Sequence, residues 1–298
     1  MNTVLAELGR KYVERWVAVL VLPGLLYVAG AVAAHRLGHA HWADVGRLAD
    51  LPAVGGPLDG RASSWVLVLA VLPVLSAAAG LTARGVAAAL GRLWSEPWPY
   101  GLRWAARRLT AARAARWQAA DLAYRAALEG AGARPPAEVR ARIDALAARR
   151  NAVALGPPAH PTWAGDRLGV VGARVWAWYR LDVVFAWPRL WLVLTESEQN
   201  ALRAARTELD TAVTLAGWGV LGVLPAVWWW PAPLVAAGVL AVALRRTRAA
   251  VDTLAHLTEA AFDLRAAVLA RELGFDVPEG RLSPETGAQV TAHLRKHV

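Results

Sequence analysis

The sequence predicts an all-α integral membrane protein with four transmembrane helices and a helical cytoplasmic portion. Three observations lead there. The 298 residues are 56% hydrophobic, with a mean hydropathy of +0.32, and the apolar residues gather into long charge-free runs. Sixteen Trp are present, a residue favoured where an apolar ring meets water at a bilayer face. The basic residues, nearly all Arg, are distributed unevenly between the runs, which orients them.

A helix needs about 20 apolar residues to cross the ~30 Å hydrocarbon layer. Residues 16–34, 64–83 and 211–230 meet this or nearly do. Residues 231–244 are short, but Arg245 and Arg246 at their end can snorkel. The first run is read as a retained span: "AVA" at 31–33 offers small residues for signal cleavage, yet Glu7 and Glu14 offset the basic residues a leader needs. Arg10, Lys11 and Arg15 precede it, and the loop 35–63 is neutral, with three Arg and three Asp. Residues 84–116 carry seven Arg against one Glu, and "RRTR" follows the fourth run. The excess of cations on one side places both termini and the central segment in the cytoplasm. The expected localisation is a cell (inner or plasma) membrane, multi-pass.

None of the four runs contains Asp, Glu, Lys, Arg or His. Ion-coupled carriers and voltage sensors place ionisable groups inside the membrane, so a transporter is disfavoured. "VLP" recurs at 21–23, 71–73 and 223–225, and is read as tolerated membrane kinks rather than gate hinges. Small residues such as "AGAVAA" and "AAAG" allow helices to approach closely.

The sequence divides into 1–91, an N-terminal hairpin with its external loop; 92–155, basic amphipathic helices; and 156–298, a long helical hairpin with a cytoplasmic stem. "EPWPYG" ends the helix leaving the second span. The helix over 102–129 carries Arg103, Arg107 and Arg108 among Leu, Ala and Trp, beside Trp94, Trp98 and Trp104. That pattern fits a helix lying on an anionic cytoplasmic leaflet, the expected lipid partner; no nucleic acid is expected. A short helix is predicted over 137–150 and another over 162–180, with Arg167 and Arg174 one heptad apart.

Residues 181–194 are apolar, too short to span and interrupted by Pro188. Trp187, Arg189 and Trp191 mark them as an interfacial element. Thr195 with Glu198 forms a capping box, so a helix starts there and is expected to run straight into the third span. Residues 244–273 lack Pro and Gly, so the fourth span should continue beyond the membrane.

The stretch from "HPTWAGDRLGVVGARVWAWYRLDVVFAWPRLWLVL" to "EAAFDL" resembles a family of bacterial, actinobacterial-type multi-pass membrane proteins that carry a PTxxGDxL…YxLD…WPRLxxL…LD block before a transmembrane hairpin. The similarity covers about residues 160–265. The family's Pro-Glu after the "WPRL" run reads Thr195-Glu196 here, a departure that keeps the helix-start chemistry. The resemblance implies membrane architecture and no particular activity.

The strongest polar cluster is Asp252, His256, Glu259 and Asp263, whose spacing puts all four on one helix stripe. Arg203, Arg206, Glu208 and Asp210 of the preceding helix are its expected partners. One reading is an ion-paired seam or a possible ligand site; the other is an acid–base or metal site, although di-metal bundles use Glu-x-x-His rather than His-x-x-Glu. His35, His39 and His41 are read as loop histidines. The chain has no Cys and no phosphate-loop, dinucleotide or hydrolase motif. No catalytic residue, metal or cofactor is assigned. The class that follows is a non-enzymatic membrane protein: an oligomeric scaffold, signal-coupled effector or pore whose cytoplasmic helices receive a partner or ligand, expected as a homo-oligomer and open to a cytoplasmic protein partner. A membrane enzyme or lipid-handling protein using the Asp252/His256/Glu259/Asp263 stripe is the alternative, and a transporter the third.

Overall fold

The computed structural model describes residues 21–44, 46–49, 62–95, 98–132 and 134–296. Helix makes up 82% of the structure and the described residues include no strand. In order the helices are α1 (Leu22–Leu37), α2 (Gly46–Ala49), α3 (Ala62–Ser95), α4 (Arg103–Glu129), α5 (Ala137–Val153), α6 (Trp163–Tyr179), α7 (Val183–Val193), α8 (Glu196–Leu221), α9 (Ala232–Glu272) and α10 (Pro284–Arg295). The start of the first expected span, residues 16–20, and residues 50–61 of the expected external loop lie outside the described residues.

Two compact units emerge, and neither is one stretch of sequence. Unit 1 takes residues up to Leu90 together with Thr211–Arg246, and unit 2 takes Gly91–Asp210 with Thr247–Val298. Three consecutive segments, 1–91, 92–155 and 156–298, were the sequence-derived division. The difference arises because α3, α8 and α9 each contribute residues to both units.

Unit 1 is packed through its small residues. Ala34, Ala83, Ala87, Ala212, Ala216, Ala236 and Ala243 are buried, and Ser76 is fully so, its hydroxyl donating to the Leu72 carbonyl at 2.7 Å. Large apolar side chains point outward: Leu26 is 70% exposed, Val74 66%, Val227 71% and Leu234 66%. Glycines permit the approach. A Cβ on Gly24 would collide with the Ser76 carbonyl, and one on Gly217 with the Ala83 carbonyl. Among the described residues, two helices are long and apolar enough to cross a membrane, Ala70–Trp94 and Glu196–Val227, while α1 and α7 are shorter apolar helices. The expected fourth span is the first part of α9.

The third expected span departs from a continuous helix. Helix α8 stops at Leu221, and a 3-10 turn follows at Leu224–Val227. Pro225 has no N–H to give the Leu221 carbonyl. The Tyr27 hydroxyl of α1 donates to it instead, at 3.1 Å. Near this turn, Trp229 Nε1 donates to the Trp42 carbonyl at 2.9 Å, and His39 bonds the Val227 carbonyl at 3.1 Å. Trp42 and Trp230 pack edge to face at 5.2 Å, as do His35 and Trp228 at 5.6 Å.

Unit 2 adds large side chains to the alanines of its core. Leu181, Ala186, Leu190, Phe262, Leu269 and Val290 are buried at its centre. Helix α7 supplies Ala186 and Leu190 from one face and leaves Val184 and Leu192 exposed on the other. The capping box at the start of α8 is formed reciprocally: Thr195 N–H donates to Glu198 Oε2 at 2.8 Å, and Glu198 N–H to Thr195 Oγ1 at 3.4 Å. Arg265 of α9 closes on the same carboxylate at 2.9 Å. The Arg265 guanidinium and the Thr195 amide hold the Glu198 carboxyl below its ordinary value.

Helix α9 ends at a glycine cap. Gly274 sits at φ +85 and Phe275 N–H returns to the Ala270 carbonyl at 3.0 Å. Ser283 caps α10, accepting from Thr286 N–H at 3.2 Å, with Pro284 in the first turn. Helix α10 then closes on the α6–α7 turn. Thr291 donates to the Arg180 carbonyl at 2.8 Å and accepts from Asp182 N–H at 3.1 Å, while Arg295 pairs with Asp182 at 2.6 Å. Gly287 lies against the Tyr179 carbonyl with no room for a Cβ.

Candidate functional site

The acidic stripe of α9 meets α6, not α8. Arg167 Nε donates to Asp252 at 2.8 Å and its Nη1 to Glu259 at 3.0 Å. Arg174 reaches the other oxygen of Glu259 at 3.0 Å, and the Tyr179 hydroxyl donates to Asp263 at 2.7 Å. Arg248 stacks over the Trp163 ring at 5.8 Å. Partner positions are 85 residues apart at 167/252 and 174/259, and 84 apart at 179/263. Offsets that hold near 85 along the two helices mean that α6 and α9 run parallel.

Arg167 is the centre of this seam. Its side chain is 1% exposed, against 17% for Glu259 and 42% for Asp252. Arg is suited to such a place because its planar fork serves two carboxylates at once. Its Nη2 is buried without a protein partner. Burial and the neighbouring Asp263 carboxylate push the Tyr179 hydroxyl up to about 12.

The residues expected to face the stripe from α8 are engaged elsewhere. Arg203 is held by Asn200 and Gln199 of its own helix at 2.9 Å each and lies over the Trp191 ring at 5.3 Å. Arg206 pairs with Asp210 one turn on, at 3.3 Å. His256 is exposed and stands apart from the seam. Among the described residues no group of three or more His, Asp or Glu is placed to hold a metal ion. The α6 partners were missed because α6 is remote in sequence, although one signal existed: the seven-residue step from Arg167 to Arg174 matches that from Asp252 to Glu259.

The residue next to Arg167 faces the other way. Asp166 is 6% exposed. Its Oδ1 accepts from the Ala159 and His160 amides at 2.8 and 2.7 Å and meets His160 Nδ1 at 3.2 Å. Its Oδ2 accepts from Arg113 of α4 at 2.6 Å, and Arg113 also donates to the Val153 carbonyl at 2.8 Å. Trp117 adds a bond to the Ala154 carbonyl at 3.0 Å. A Cβ on Gly165 or on Gly169 would come within 2.9 Å of His160, so these two glycines make the bed for its side chain. Thr162 caps α6, accepting from Gly165 N–H at 3.1 Å, while its hydroxyl donates to the Trp94 carbonyl at 2.7 Å. The "PTWAGDRL" and "YRLD" segments are thus accounted for by tertiary contacts. Asp166 and Arg167 tie the α4–α5 pair and α9 to opposite sides of α6.

Two clefts flank these contacts. One, of about 420 Å³, is lined by Arg174, Trp178, Tyr179, Glu259 and Asp263. The other, of about 600 Å³, lies between α4 and the 159–161 segment, with Trp98, Arg103, Arg107 and His160 on its walls. The expected interfacial residues are distributed unevenly. Arg103, Trp104, Arg107 and Arg108 are exposed, with Arg103 over the Tyr100 ring at 3.6 Å and Arg108 over Trp104 at 6.0 Å. Trp94 and Trp98 are half-buried. Trp187 and Trp191 are also half-buried and pack on the unit 2 core, Trp187 lying 6.1 Å from the Phe262 ring. Arg189 folds back onto the Phe185 carbonyl at 3.0 Å.

No protein-family model, curated protein or solved structure matches the chain.

Proposed function

We propose that the protein is a multi-pass inner or plasma membrane protein with four spans and cytoplasmic termini. It acts without catalysing a reaction, as an oligomeric scaffold, signal-coupled effector or pore whose cytoplasmic helices receive a partner or ligand. The observation that carries this reading is the packing of unit 1, with alanine, serine and glycine inside and leucine, valine and tryptophan outside. A contiguous apolar exterior of that kind drives aggregation in water, whereas in lipid, helices associate through small residues and turn their large side chains outward. The Trp and His cluster around Trp42 and Trp230 has the composition of a membrane–water boundary.

The acidic stripe supports the non-enzymatic reading over the enzymatic one. Glu259 is bound by two guanidiniums and Asp252 by one, so neither is a free base or a free metal ligand. The seam suits a structural link whose strength a bound partner could alter.

The chain lacks cysteine, which makes single-cysteine labelling a clean test. Ala43→Cys should react with a membrane-impermeant maleimide in intact cells, and Gly130→Cys only after lysis. Release of the protein by alkaline carbonate, or the same labelling at both sites, would sink the reading.

A further inference from the structure

The cleft between α4 and the 159–161 segment has a defined chemistry. Arg103 and Arg107 lie one turn apart on α4 and both line it. Among the described residues neither takes part in an ion pair, and Arg103 stacks over the Tyr100 ring at 3.6 Å. Two like charges at this spacing repel unless an anion sits between them. The guanidinium fork matches a phosphate oxygen pair.

The rest of the cleft is largely apolar. Ala106, Ala111 and Ala114 form a floor along one face of α4, and Trp98 stands at the side. The indole N–H of Trp98 is already spent on the Leu93 carbonyl at 2.7 Å, so Trp98 offers the cleft its ring. The opposite wall, His160, is held by two contacts to Asp166, through its amide and its ring Nδ1, and by the close approach of Gly165 and Gly169. A pocket built before its ligand arrives loses less on binding. About 600 Å³ is within the ordinary range for a small-molecule site.

We propose that this cleft binds the phosphate headgroup of an anionic lipid, with Arg103 and Arg107 on the phosphate and the lipid's apolar part over the alanine floor. A free phosphate satisfies the two arginines but leaves the floor uncovered, and this favours an amphiphile. The choice of lipid as the carrier rests on the membrane reading above; the charge pattern of the cleft does not.

The test uses the full chain in non-ionic detergent and calorimetric titration with dihexanoyl phosphatidate, dihexanoyl phosphatidylcholine and inorganic phosphate. Phosphatidate should bind at least about tenfold more tightly than either comparator, the scale of one charge-assisted contact. Arg103→Gln/Arg107→Gln should weaken it by about tenfold or more, and Ala111→Phe should weaken it while leaving the charge intact. Arg142→Gln/Arg149→Gln, which removes equal charge from exposed positions on α5, should change it less than about twofold. Equal losses in the two double variants would reduce the site to general surface charge and overturn the proposal. Inorganic phosphate binding as tightly as phosphatidate would overturn the lipid assignment, and so would no effect of Ala111→Phe. Circular dichroism establishes that each variant folds. The probes are soluble and need no bilayer, so failure here leaves the cysteine-labelling result standing, and the reverse.

Discussion

Arg167 shows how much one side chain can join. It is buried with two carboxylates on another helix, and removing one partner of such a group leaves charge without compensation. Arg167→Ala should cost about 3 kcal/mol in denaturant unfolding of the full chain, the lower end for a buried pair, because Glu259 keeps Arg174 and Asp252 is part-exposed. Arg167→Met/Glu259→Gln should recover at least half of that loss. A cost under about 1 kcal/mol, the worth of an exposed pair, would contradict the burial argument. Tyr179 gives a second measurable quantity. A hydroxyl whose pKa is raised in the fold stabilises the fold while it is neutral. That contribution is complete below the ordinary value of 10 and is lost as pH climbs through about 12. Absorbance titration of tyrosinate should show one group near 12 that Tyr179→Phe removes. Asp263→Asn should lower it without restoring 10, since burial is the larger cause. Titration of all tyrosines together near 10 would refute the contact. Glu198 acts with the opposite sign: its pKa is lowered, so its stabilisation is present above its ordinary 4.5 and fades as pH falls below it.

Elements were more legible than partners. The helices expected over 102–129, 137–150 and 162–180 are Arg103–Glu129, Ala137–Val153 and Trp163–Tyr179. Caps and breakers set these ends, and both are local. The third expected span, read with a kink at its "VLP", gives way past Leu221 to a 3-10 turn, where Pro225 removes a donor and Tyr27, distant in sequence, accounts for the freed carbonyl. Residues 181–194 could be read as apolar and too short to span, but that they form a helix packed on the unit 2 core depends on Phe262 and its neighbours. Close helix approach in unit 1 gives a paired test. Gly217→Ala places a methyl against the Ala83 carbonyl, whereas Gly238→Ala meets nothing within 4 Å. The first should destabilise by about 1–3 kcal/mol through overpacking, and the second should be neutral or stabilising by up to about 1 kcal/mol through helix propensity. The same melting temperature for both would remove the argument that glycine sets the spacing of α3 and α8.

At the scale of the molecule, two packing regimes coexist in one chain. Unit 1 packs through alanine, serine and glycine, while the centre of unit 2 is built on large side chains such as Leu181, Leu190, Phe262, Leu269 and Val290 alongside its alanines. Composition and run length are summed properties, so the sequence alone determined the helical class, the apolar runs, the Arg asymmetry and the starts and stops of most helices. The acidic stripe was equally visible as a stripe, because helical periodicity is local. What it faces is not local. Only the tertiary structure decided that Asp252 and Glu259 meet Arg167 rather than Arg203, and that the compact units are discontinuous. It also decided that Arg103 and Arg107 share a cleft with His160. A charge on a helix face is compatible with any partner of opposite sign. The choice among partners depends on which helices pack and in what register, and that is settled by contacts 40 to 194 residues apart.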